Sequence, residues 1–227
     1  MSESVISALF VLLGYLCGSV SFSYWLGRRH DAIDLRRKGS GKLSASNVYN
    51  YYGVWGLVLV GLVDVLKAAV PVWLARQAGQ SLEICALTGL AAMAGHNWSL
   101  YLNFRGGRGV SAALGTLLNL FPAGVPWLLG HLAAGRLVPR QAAAVGLLGI
   151  VTLPLLAQFL NQPRAVILCC WGILLLTVLK RLEGSHKEMV DRGPRWRVLL
   201  CRLLLDRDIP DFDAWISDDP QLEGHAG

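Results

Sequence analysis

Three stretches of this chain hold residue types that could do chemistry. In NFRGGRGVSAALG, residues 103–115, Arg105 and Arg108 stand among Gly106, Gly107 and Gly109, and small apolar residues follow at once. Glycines let a ligand approach backbone N–H groups, and arginines offer paired donors to oxyanions. The run from Val110 onward reads as a helix that turns its positive end toward the loop. A glycine-rich loop entering a helix N-terminus is an anion-binding arrangement. The pattern is not a Walker loop, since no Gly-Lys-Ser/Thr follows. From these residues alone, a tight turn with arginines reaching to headgroups stands as the alternative.

The second stretch is HDAIDLRRKGSGKLSASNVYN, residues 30–50, in which basic side chains surround Gly39, Ser40, Gly41, Lys42 and Asn47. Serine and asparagine can donate hydrogen bonds to oxyanions, although a flexible turn has the same composition. The third is His96, at the end of an apolar run just before the first loop. A histidine there could serve as a general base or merely close the helix. Asp64 and Lys67 lie inside another apolar run at i,i+3, on one helix face. At membrane depth such groups need each other, which reads as a structural pair.

These residues must be positioned by a membrane bundle. Of 227 residues, 54% are hydrophobic and 16% charged, against about 25% charged in an ordinary soluble domain. The expected class is all-α and polytopic, with about seven transmembrane helices near 5–26, 54–75, 84–98, 110–121, 125–134, 142–160 and 165–179. The fourth and fifth are short and can be read as one broken hairpin, since Pro122 and Pro126 punctuate it. The first span lacks a basic region before it and is expected to stay in the mature protein.

Lys and Arg crowd into alternate loops, with only Arg76 and Arg164 in the others. The positive-inside rule then places the N-terminus outside, and both glycine-rich loops and the C-terminus in the cytoplasm. The net charge of +6 is thus a matter of topology and anionic headgroups. No nucleic-acid motif accompanies it. The five cysteines show no C-x-x-C spacing and read as small core residues, with no metal site. The organisation is a membrane-embedded domain at 1–180 and a cytoplasmic tail at 181–227. The tail begins as a basic amphipathic helix fit to lie on the membrane. Beyond Asp206 it turns acidic and reads as frayed.

Taken together, the segments resemble the bacterial acyl-phosphate-dependent glycerol-3-phosphate acyltransferases. GSVSFSYWLGRR is similar to the end of the family's first span, and GSGKLSASNV resembles its first motif. DVLKAAVPV matches a pattern in the second span. AGHNWSLYLNFRGGRGVSAALG resembles the second motif, a Gly-His followed at the same distance by a glycine-rich basic loop. The resemblance implies seven spans, a cytoplasmic active site in the cell membrane, and no metal or other cofactor. It implies acyl transfer from acyl phosphate to glycerol 3-phosphate, giving lysophosphatidate for phospholipid synthesis.

Carried over, Ser40 and Asn47 would hydrogen-bond substrate, and Gly41 and Lys42 would stand with them at its phosphate. Gly106, Gly107, Arg108 and Gly109 would cradle phosphate, with Arg105 beside them. Expected partners are the two substrates and membrane lipids, with no nucleic acid. Lys42, Ser44 and Asn50 depart from the first motif, and Trp98-Ser99 replace a Phe-Pro in the second. Aligning Arg181-Leu182 with the third motif puts Leu175 and Val178 where the family has a His and an Asn. These departures leave an altered acceptor, or a non-catalytic homologue that binds a phosphorylated lipid, beside the ordinary enzyme. A transporter or channel has the buried Asp64 and Lys67 in its favour, but no inverted repeat.

Overall fold

The computed structural model describes residues 2–30, 45–138, 140–183 and 194–211. All regular structure among them is helical: α1 (Glu3–Ser19), α2 (Phe22–His30), α3 (Ala45–Gln77), α4 (Leu82–Asn97), a 3₁₀ turn (Leu100–Leu102), α5 (Val110–Leu120), α6 (Gly124–Leu137), α7 (Ala142–Phe159), α8 (Arg164–Glu183) and α9 (Arg195–Leu205). Four helical stretches, Glu3–Arg29, Tyr51–Gln77, Ala142–Phe159 and Arg164–Glu183, are long and apolar enough to cross a membrane. The expected spans at 84–98, 110–121 and 125–134 correspond to the shorter α4, α5 and α6. At a rise of about 1.5 Å per residue these extend roughly 24, 16 and 21 Å, less than the hydrocarbon thickness.

The expected single span at 5–26 is two helices. Val20, with φ −67° and ψ 116°, breaks α1 from α2. Helix ends leave carbonyls without intrahelical donors, and here distant side chains supply them. Ser99 Oγ donates to the Ser19 carbonyl at 2.5 Å, and Lys67 Nζ donates to that of Val20 at 2.7 Å. No local hydrophobic pattern could announce a break stabilised by such remote partners. Inside α3, Gly53 adopts φ +62° and ψ −156°, which sets the first two turns at an angle to the long apolar part.

The bundle closes through small residues. Gly14 and Gly18 of α1 lie against the backbone of Thr88 and Ala92 in α4, and Gly115 of α5 lies against the Val65 carbonyl of α3. Helices packed in lipid gain from such close backbone approach. Met93, Leu117, Phe121, Leu153 and Ile173 fill the interior. Outward, α8 presents Leu168, Trp171, Leu175 and Leu179, while Cys169, Cys170, Ile173 and Thr177 face inside. That exposed apolar face suits acyl chains as solvent. The cysteines of the described residues are free, and Cys85, Cys169 and Cys170 are buried.

The tail meets expectation in its helix and departs from it just beyond. Helix α9 forms where the basic amphipathic stretch predicts one, with Trp196, Leu199, Leu200 and Leu204 exposed and Val198 buried against the body. The residues just after it are tied down rather than frayed. Asp208 is 1% exposed and accepts from Arg202 Nε at 2.7 Å.

Candidate active site

The loop from α4 to α5 is built mainly by backbone geometry. After the 3₁₀ turn, Asn103 and Phe104 both take left-handed φ, +53° and +59°, and reverse the chain. Phe104 N–H donates to the Ser99 carbonyl at 2.8 Å, and Gly107 N–H donates to that of His96 at 3.0 Å. The loop is thereby folded back over the end of α4. A side chain at Gly106 would collide with the carbonyls of His96 and Asn97, so only glycine fits. Gly109 is the N-cap of α5 at φ +77° and carries no side chain to cap it. The first N–H groups of α5 are thus left to an outside acceptor. The fully buried Asn97 lies against Gly109, and neither polar atom of its side chain has a partner.

The two arginines of the loop differ. Arg105 is exposed. Arg108 turns inward: its Nη1 donates to the Lys180 carbonyl at 2.5 Å, and its Nη2 stands 2.6 Å from Asp206 Oδ1. Its Nε is buried and unpartnered. An arginine so held has one donor, Nε, left unpaired.

Beneath the loop lies a second polar group. Asp64 Oδ1 stands 2.8 Å from Lys67 Nζ and 3.6 Å from His96 Nδ1. The latter distance is beyond hydrogen-bond length, so the histidine is neighbour to the carboxylate rather than bonded to it. Asp64 and His96 are both buried. Through the Val20 carbonyl and the His96 backbone, this group joins the α1–α2 break, α3, the end of α4 and the glycine loop.

Of the other expected site residues, Ser40, Gly41 and Lys42 lie outside the described residues. Asn47 is placed only as part of the first turn of α3. Its neighbour Val48 is fully buried, in one apolar cluster with Val60 and Leu102. Leu102 is three residues from Arg105, so the end of the first loop and the start of the second meet.

On α8, the residues aligned with the third motif's polar positions are apolar, and neither is fully buried. Leu175 is exposed at 58%, and Val178 is half-buried. The inward polar positions are Thr177, Lys180 and Arg181. Lys180 Nζ stands 3.0 Å from Glu183 Oε2, which also accepts from Trp98 Nε1 at 2.8 Å. Trp98-Ser99 thus forms tethers of its own, to α8 and to α1, where the family has Phe-Pro. Sequence reasoning missed Glu183 and Lys180 as site neighbours. Their i,i+3 spacing at a helix end, the same as that of Asp64 and Lys67, was the available signal.

The family model for glycerol-3-phosphate acyltransferase matches residues 8–191. Glycerol-3-phosphate acyltransferase 5 of Dehalococcoides mccartyi is 33% identical over 220 residues, covering 94% of each chain. The glycerol-3-phosphate acyltransferase of Halalkalibacterium halodurans is 37% identical, over 81% of this chain and 90% of its own. Among solved structures, PlsY, an integral membrane glycerol 3-phosphate acyltransferase, superimposes in its glycerol 3-phosphate form with a TM-score of 0.72. It is 27% identical over 78% of this chain and 89% of its own.

Proposed function

The chain belongs to the glycerol-3-phosphate acyltransferase family and is a membrane acyltransferase of phospholipid synthesis, and we propose that it uses acyl phosphate as donor and glycerol 3-phosphate as acceptor. The observation that carries this reading is the α4–α5 loop. Its glycines admit a ligand to backbone donors, an uncapped helix start lies behind it, and the buried Arg108 Nε has no partner. That is the chemistry of a phosphate site.

In the proposed reaction the 1-hydroxyl oxygen of glycerol 3-phosphate bonds to the acyl carbon. The bond from that carbon to the phosphate oxygen breaks, and inorganic phosphate leaves with the electron pair. The hydroxyl proton goes to a substrate phosphate oxygen or to His96, whose Nδ1 has Asp64 beside it. Acyl phosphate is already activated, so orientation and neutralisation of charge supply most of the help needed. Gly106, Arg108 and Gly109 hold phosphate, with Gly107 pinning the loop to the His96 carbonyl and Arg105 at the rim. Ser40 and Asn47 hydrogen-bond substrate, with Gly41 and Lys42 beside them. Asp64 and Lys67 hold the loops in place.

The proposed topology has seven spans in the cell membrane. The N-terminus is outside, and the glycine loops and C-terminus are cytoplasmic, as the distribution of Lys and Arg supports. The catalytic body is 1–180, with 181–227 on its cytoplasmic side.

The test supplies purified protein in detergent or lipid with long-chain acyl phosphate and glycerol 3-phosphate. Lysophosphatidate and inorganic phosphate are expected in equal amounts. Phosphate without lysophosphatidate would mean another acceptor. Saturable acyl-phosphate binding without turnover would replace the enzyme by a non-catalytic binder.

A further inference from the structure

Residues 194–211 lie beyond the stretch matched by the family model, which stops at residue 191, though a relative aligned over 94% of this chain extends into them, and they reach the proposed phosphate loop. Charged side chains dock it. Arg181 Nη1 donates to the Leu203 carbonyl at 2.7 Å and Nη2 to that of Ala143 at 2.8 Å. Arg202 Nη1 donates to the carbonyls of Leu182 and Glu183, at 3.1 and 3.3 Å, while its Nε and Nη2 hold Asp208. At the C-cap of α9, Asp206 takes the left-handed conformation, φ +57° and ψ 32°. That turn aims its carboxylate at Arg108, with Oδ1 2.6 Å from Nη2.

Arg108 is therefore held at both tips of its guanidinium, by a carbonyl of α8 and by a carboxylate of the tail. A free arginine side chain has rotamer entropy to lose when a ligand fixes it. A guanidinium fixed beforehand has that cost removed from binding. With both tips anchored, the unpartnered Nε is the guanidinium donor left for a ligand.

We propose that Asp206 is a positioning residue: it holds Arg108 in the pose that receives the phosphorylated substrate. The segment after α8 then completes the phosphate site. This rests on the reading of Arg108 as a phosphate ligand.

The test is steady-state kinetics of the full chain in detergent, with long-chain acyl phosphate and glycerol 3-phosphate each varied. Wild type is compared with Arg108→Ala, Asp206→Asn, Asp206→Glu and the double variant Arg108→Ala with Asp206→Asn. Asp206→Asn should raise about tenfold the KM of the same substrate that Arg108→Ala weakens, with kcat within about twofold; tenfold corresponds to about 1.4 kcal/mol. Asp206→Glu should recover most of the loss, and Asp206→Asn should add nothing when Arg108 is already alanine. An unchanged or lower KM in Asp206→Asn overturns the inference, the lower value because it would make the carboxylate a competitor of phosphate. Additive effects in the double variant overturn it too. If Arg108→Ala itself leaves both KM values unchanged, it is the phosphate reading of Arg108 that has failed.

Discussion

Asp64 and Asp206 are both carboxylates set among cations, but the two sites are built in different ways. Asp64 sits in the bundle, where one oxygen serves Lys67 and stands near His96, all three largely buried. Its partners come from two helices, and the lysine also ties down a backbone carbonyl at the α1–α2 break. Asp206 sits at the rim, partly exposed, in a mesh where Arg108, Arg181 and Arg202 donate mainly to carbonyls. The inner group concentrates its charge balance in one residue. The outer one spreads it over several, so that any single loss is shared.

Removing single members should expose this difference. Asp64→Ala leaves Lys67 in the bundle without its carboxylate and should cost about 3–5 kcal/mol, the usual cost of breaking a buried pair. Thermal unfolding in detergent would measure it. Replacing both Asp64 and Lys67 by apolar residues of similar size should restore much of the loss. If Asp64→Ala melts like wild type, the inner group is wet and the contrast disappears.

The glycine loop that bridges the two regions should come next. In Gly106→Ala the added carbon meets the His96 and Asn97 carbonyls, so the loop must shift. A loss of about 2 kcal/mol is expected, typical of overpacking, with a fall in kcat/KM larger than the fall in melting temperature. Equal kcat/KM to wild type would mean that the loop position is not critical. The smallest effect belongs to the rim. Asp208→Asn removes one charge-assisted pair but keeps an amide oxygen that Arg202 can donate to, and should cost about 1.5 kcal/mol, the low end for a hydrogen bond to a charged group. Hydrogen exchange in α9 should accelerate while exchange in α4 does not. A uniform change in both would show that the rim is not a separate layer.

Much of the bundle was legible because apolar runs report directly on lipid-facing helices. The α4–α5 loop was legible as a glycine pattern that opens a helix. The geometry that holds it, with two left-handed residues and the His96 carbonyl as anchor, was not. Three features escaped for a common reason. The break at Val20 depends on Lys67 and Ser99, the order of Asp206 depends on Arg108, and the inward face of α8 is set by its packing. Each is decided by a partner tens of residues away, which local periodicity does not record. For α8 the alignment pointed to positions 175 and 178, whereas the helix turns Thr177, Lys180 and Arg181 inward.

The glycine contact between α1 and α4 has a consequence for how this protein is made. Gly14 and Gly18 find their close neighbours in α4, not in the next helix along the chain. During insertion from the N-terminus, α1 enters the bilayer before α4 has been synthesised. Lipid must stand in for that neighbour until α4 arrives. Biogenesis of the bundle is then a delayed pairing of its first and fourth helices, and the Ser19 carbonyl can meet Ser99 only after that pairing is complete.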